Sequence, residues 1–223
     1  IFGFIVGLIT LRVKGPSFII SSIALIMIMR IVFDHWDLVG GASGITLPFN
    51  SLPVQWSKLP HYYSFLFLAL AAIYLNWYVR HSKFGLALRA VSHDETRSAV
   101  AGINVKMIKV TAFALSAFLI GSAGAVWADY LTYIRPNMFL VILIAANIVL
   151  MVILGGKGTV TGPIVGTVIF ILFNEIILTF FGATELNILL TGLLLVITLL
   201  YFPDGIVGSL KNKNILPKFL DWG

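Results

Sequence analysis

Few residues in this chain could do chemistry, and they are spread thin. Glu175 and its neighbour Asn174 lie in the middle of a long apolar run, as does Asn147 in another. An ionised carboxylate in hydrocarbon is costly, so Glu175 has to face a protein interior, pair with a base or keep its proton. A pathway or gating residue would look like this, and so would a buried hydrogen bond between two helices. A second group is polar and close-set: Ser92, His93, Asp94, Glu95 and Arg97, followed by Gly102. Acids at the start of a short segment and a glycine at its end mark a capped helix. Such a helix can dock a soluble partner or serve as a solvated connector. The four histidines, His35, His61, His81 and His93, are scattered and suggest no acid–base pair or metal site. Cysteine is absent, which excludes a disulfide framework, a thiolate metal site and a cysteine nucleophile. The run Gly155-Gly-Lys-Gly-Thr suggests a phosphate-binding loop but fails on spacing. Position 151 is Met where glycine is needed, and Lys157 is followed by Gly158 rather than Ser or Thr. Any ATP must therefore be bound by another polypeptide.

The elements that position these residues are written in the composition. Of 223 residues, 59% are hydrophobic and 11% charged, and mean hydropathy is +1.01. Soluble domains carry about 25% charge, so this chain cannot make a wettable surface, nor is it polar enough for disorder. Apolar runs near the roughly 20 residues that cross a bilayer fall at Ser17–Phe33, His61–Val79, Val110–Ala128, Met138–Leu154, Val160–Phe181 and Leu186–Phe202. A partial run, Ile1–Leu11, precedes them. The fold class is all-α: a polytopic transmembrane helical bundle of six to seven spans, with residues 1–223 forming a single transmembrane domain. Trp36, Trp56, Trp77 and Trp127 lie toward span ends, where interfacial anchors belong. Small residues recur at helical spacing, Ala117–Gly121–Ala125 and Gly158–Gly162–Gly166, and allow close helix packing.

The formal charge of +6 comes from 15 basic and 9 acidic residues. Strict alternation of sides puts Arg12 and Lys14, the six bases of Arg80–Lys109, Lys157 and the tail lysines 211, 213 and 218 on one face. Lys58 and Arg135 are left on the other, with Arg30 near a helix end. By the positive-inside rule the first face, with the C-terminus, is cytoplasmic. The basic charge then signals orientation, without any need for nucleic acid. Loop 80–109 is the longest connection. Ser92 and Glu95 have capping-box spacing, which predicts a helix from Ser92 to Ala101 closed by Gly102 at a left-handed position.

The same loop carries a resemblance. The run from Gly85 to Glu95 (Gly-Leu-Ala-Leu-Arg-Ala-Val-Ser-His-Asp-Glu) and Ala101-Gly-Ile-Asn-Val resemble the permease subunits of branched-chain amino acid ABC importers, the LivM type. So do Leu11-Arg-Val-Lys-Gly-Pro-Ser-Phe, Gly40-Gly-Ala-Ser-Gly-Ile, Leu154-Gly-Gly-Lys-Gly-Thr and Tyr201-Phe-Pro-Asp-Gly, so that nearly the whole chain is covered in order. The resemblance implies a non-catalytic subunit of the bacterial inner membrane. It implies a second, homologous permease, two cytoplasmic ATPases that hold ATP and Mg, and an extracytoplasmic binding protein. Ser92–Ile103 would be the coupling helix seated in the ATPase. Thr96-Arg97-Ser98 departs from the acidic or acid-Ala-Ala pattern usual there. Family members also usually have further spans upstream, so Ile1 is expected not to be the natural start. Permeases for urea, amides or sugars remain open, as does a stand-alone ion-coupled transporter with Glu175 as its coupling acid.

Overall fold

The computed structural model describes residues 1–13, 15–48, 58–156, 158–182, 185–202 and 205–212. Lys14, Trp56, Lys157, Lys213 and Lys218, together with Pro203 and Asp204 of the final motif, lie outside the described residues. The helices are Phe2–Thr10 (α1), Pro16–Asp34 (α2), Leu59–His81 (α3), Lys83–His93 (α4), Glu95–Val100 (α5) and Val105–Leu131 (α6). They continue with Pro136–Phe139 (α7), Ile142–Gly155 (α8), Thr161–Phe181 (α9), Glu185–Tyr201 (α10) and Gly205–Asn212 (α11). The fold is all-α and polytopic. Among the described residues, five stretches are long and apolar enough to cross a membrane: Ser17–Asp34, Leu59–His81, Val105–Leu131, Pro136–Gly155 and Thr161–Phe180. The 17-residue α10 is apolar but shorter.

These helices are apolar on the outside. No residue in the most apolar window of α2 or α3 is buried, and in Pro136–Gly155 only 17% are. In water such surface would drive aggregation; in hydrocarbon it costs nothing, and the hydrogen-bonded helix satisfies its own backbone. Proline opens several elements at a position where its missing N–H is harmless, as Pro16 does in α2 and Pro136 in α7. The expected single helix Met138–Leu154 is instead two pieces. Leu140, at φ −94° and ψ 58°, leaves helical space and separates α7 from α8.

The chain divides into two compact units, Ile1–Ile142 and Leu143–Gly223. In the first, α1 packs antiparallel on α6. A Cβ added at Gly3 would lie 2.5 Å from Ala117 Cβ, and one at Gly7 3.0 Å from the Phe113 ring. A two-residue antiparallel ladder, absent from the sequence reading, pairs Ile45 with Ile134 and Thr46 with Tyr133. It is extended by the Leu47 N–H donating to Thr132 O at 2.7 Å and by Tyr133 Oη donating to Ser43 O at 2.8 Å. In the second unit Leu150, Leu154 and Phe170 form a buried cluster, with Met151, Ile169, Leu194 and Ile206 against it. Gly162 and Gly166 of the expected small-residue stripe do lie at the helix crossing: a Cβ at Gly166 would sit 2.0 Å from Met151 O. Gly158 stands before α9 at φ +77°, and a Cβ added there or at Gly121 in α6 would meet nothing within 4 Å.

Candidate functional site

The polar elbow between α3 and α6 is built from successive caps. Ser82, in extended conformation, ends α3 and starts α4; its Oγ accepts from the Gly85 N–H at 3.2 Å and donates to Val79 O at 2.7 Å. Gly85 is required there, because a Cβ would lie 2.0 Å from Val79 O. Arg89 reaches back from α4 to donate to Arg80 O, a carbonyl in the last turn of α3, at 2.7 Å.

The expected cap at Ser92 is corrected. Ser92 lies within α4, and its hydroxyl donates to Arg89 O at 2.9 Å. The N-cap is Asp94, two residues later, at φ −158° and ψ 110°. Its Oδ1 accepts from the N–H groups of Thr96 (2.9 Å) and Arg97 (3.0 Å). A carboxylate that satisfies two orphan donors and meets the positive end of the helix outcompetes a hydroxyl. His93 thereby becomes the last residue of α4, exposed to solvent. Glu95, freed from any capping box, pairs with Lys109 Nζ across to the second turn of α6. Arg97 Nε lies 3.1 Å from Asp94 Oδ2, with its side chain 89% exposed.

The far end of α5 closes as expected at Gly102, whose φ is +85°. The Gly102 N–H donates to Ala99 O and the Ile103 N–H to Ser98 O, both at 3.0 Å, which is the paired closure of a Schellman motif. Asn104 then caps α6 through Oδ1, which accepts from the Met107 N–H at 3.1 Å. Ser98 is buried while Val100 is 87% exposed, so α5 presents one polar-apolar face outward and fixes the other. A cavity of about 570 Å³ opens beside it, lined by His93, Asp94, Arg97, Ser98, Ala101 and Ile103. The elbow is a run of short helices between two spans, each start closed by a side-chain cap.

The other candidates are not drawn into that elbow. Asn147 is half-buried on α8. Asn174, half-buried on α9, has an interaction partner. Glu175 lies on an exposed side of α9, and among the described residues no base pairs with it. Arg30 sits 3.9 Å from Asp34, one helical turn on. A further pairing, like that of Glu95 with Lys109, is absent from the sequence reading. His61 Nε2 and Asp129 Oδ2 lie 3.1 Å apart and tie the start of α3 to the end of α6, with Tyr130 edge-on to the imidazole. The two residues are separated by 68 positions, and no local pattern links them.

Helices with apolar exteriors, joined through one polar elbow, define a multi-pass membrane protein. The chain belongs to the family described as branched-chain amino acid transport system / permease component, whose model matches residues 1–199. It is 26% identical to the high-affinity branched-chain amino acid transport system permease protein LivM of Escherichia coli K12, over 95% of this chain and 56% of that protein. It is 25% identical to LivH of the same organism, over 66% of this chain and 46% of LivH. A probable branched-chain amino acid transport permease of Methanocaldococcus jannaschii is 23% identical over 93% of this chain and 65% of its own length. The chain thus spans about half the length of these two Escherichia coli relatives. No solved structure matches it.

Proposed function

We propose that this chain is the membrane-spanning part of a permease subunit in an ATP-driven importer of branched-chain amino acids. The observation that carries this reading is α5: a rod capped at both ends, exposed along Arg97 and Val100, and anchored to a membrane-crossing helix by Glu95 and Lys109. That is what a mechanical coupling element needs. A soluble ATPase moving against α5 would displace α6 rather than bend the connection, and α6 is the element on which α1 and α3 pack. The spans would then alternate their opening from one side of the membrane to the other. Loop 80–109 and the C-terminus face the cytoplasm in this reading, as the basic residues favour. ATP and Mg belong to two ATPase partners. A second homologous permease completes the pathway, and an extracytoplasmic binding protein delivers the substrate. That LivM and LivH carry the name of one transport system supports the paired arrangement.

The test is uptake of radiolabelled leucine, with ribose and urea as competitors, by vesicles holding the chain and its co-purifying partners. Uptake should require ATP, survive collapse of ion gradients, and be competed by unlabelled leucine only. Replacing Arg97 with Ala and Val100 with Asp should release the ATPase and abolish uptake. Uptake that follows an ion gradient and is lost in Glu175→Gln would sink the proposal in favour of a stand-alone transporter.

A further inference from the structure

We infer that the cleft where the end of α1 meets the start of α6 binds an anionic phospholipid. The antiparallel packing of Gly3 on Ala117 and Gly7 on Phe113 brings Leu11 and Arg12 level with the first turns of α6. A cavity of about 250 Å³ opens there, with Arg12, Lys106, Lys109 and Glu95 at its polar end and Leu8 and Val110 among its apolar walls. Glu95 neutralises Lys109. Among the described residues no carboxylate pairs with Arg12 or Lys106. The site therefore presents two uncompensated cations, one of them a guanidinium suited to two phosphate oxygens.

A second cavity, of about 440 Å³, shares Leu11, Glu95 and Lys109 with the first and continues past Phe18, Phe113 and Ser116. It extends along α6 in the direction of the membrane-crossing turns. The two cavities together are basic at one end and apolar along their length. That is the shape of a phosphate headgroup with an acyl chain, and basic pockets between transmembrane helices favour such lipids. A free phosphate would leave the apolar cleft unfilled. A soluble acidic partner would have to reach beside Leu8 and Val110, at the depth where both helices have become apolar. The inference does not depend on the transport reaction or its energy source.

The experiment is native mass spectrometry of the full chain, purified from membranes and exchanged into detergent with equal phosphatidylglycerol and phosphatidylcholine. The wild-type chain should retain phosphatidylglycerol with about tenfold preference, the ratio expected for roughly 1.4 kcal/mol. The double variant Arg12→Gln with Lys106→Gln should retain both lipids equally. Arg12→Lys with Lys106→Arg should keep the preference, which separates lost charge from misfolding. Lys83→Gln, exposed on α4, should leave it unchanged. Equal retention by the wild-type chain, or an unchanged preference in the double Gln variant, would overturn the assignment. So would displacement of the lipid by excess inorganic phosphate, which would mark a bare anion site. Loss of a soluble partner with lipid preference intact would show that a protein covers these cations, and would equally overturn it.

Discussion

The connection from α3 to α6 and the connection from α8 to α9 both reverse the chain at the end of a long apolar helix, and they do so by opposite means. The first adds groups. Ser82, Asp94 and Asn104 each present a side-chain oxygen to backbone N–H groups, and Glu95 and Lys109 add an ion pair. The second removes groups. A Cβ at Gly155 would fall 1.7 Å from Gly162 O, one at Gly162 2.3 Å from Gly156 O, and one at Gly205 2.3 Å from Gly156 Cα. Backbone meets backbone there, and the Thr159 hydroxyl, which accepts from the Gly162 N–H at 3.0 Å, is the side-chain group that an added Cβ at Gly162 would also meet. The elbow made of polar caps is exposed and can be handled by a partner. The glycine junction is a close approach of the kind membrane helices use to pack without a hydrophobic driving force. One region gains order from bonds that water can compete for, the other from contacts that a single methyl group would destroy.

The largest effect should come from filling the glycine junction. Gly155→Ala should cost at least the roughly 3 kcal/mol at the top of the range for overpacked cores, read as a lowered unfolding midpoint in denaturing detergent. A variant that loses less than about 1 kcal/mol would break the contrast. In the elbow, Asp94→Ala should cost about 1–2 kcal/mol and speed amide exchange at Thr96 and Arg97, while Asp94→Asn should largely preserve both. Gly102→Ala should cost roughly 1–2 kcal/mol. Its added methyl group meets nothing within 4 Å, so the whole cost lies in the left-handed backbone. The Glu95–Lys109 pair is about one-third exposed on each side, so a double-mutant cycle should give no more than about 1 kcal/mol. A larger coupling would mean that the elbow resembles the junction more than claimed. Gly121→Ala should be the smallest change. With nothing within 4 Å of the added Cβ, it should stabilise α6 by about 0.5 kcal/mol. A substantial loss there would show that α6 is covered at that face.

How much of this was legible beforehand follows the range of each interaction. The spans were readable because hydrocarbon imposes one length and one composition on every helix that crosses it. Gly102 was readable because a helix end needs a left-handed residue and glycine supplies it. The sequence reading put the cap at Ser92 and Asp94 in the first turn, although either side chain can accept from a helix-start N–H. The choice between them turned on which one the chain holds in extended conformation, and that depended on how far α4 ran on from Ser82. The break at Leu140, the ladder joining Ile45–Thr46 to Tyr133–Ile134, and the meeting of His61 with Asp129 had no local signal at all. The short helix and its glycine end were thus located along the chain, while its cap was misplaced by two residues and its anchor to α6 was missed.

The sequence by itself determined that the chain is a multi-pass membrane protein, where its crossings lie, and that one polar stretch between two of them would be helical and glycine-terminated. These are consequences of composition, period and capping, which act over a few residues. Only the tertiary structure decided that Glu95 pairs with Lys109, that Arg12 comes to stand beside Lys106, and that Gly155, Gly162 and Gly166 share one crossing. The physical reason is reach. A salt bridge or a backbone contact is made over a few ångströms in space, between residues whose separation along the chain is set by how long helices happen to pack.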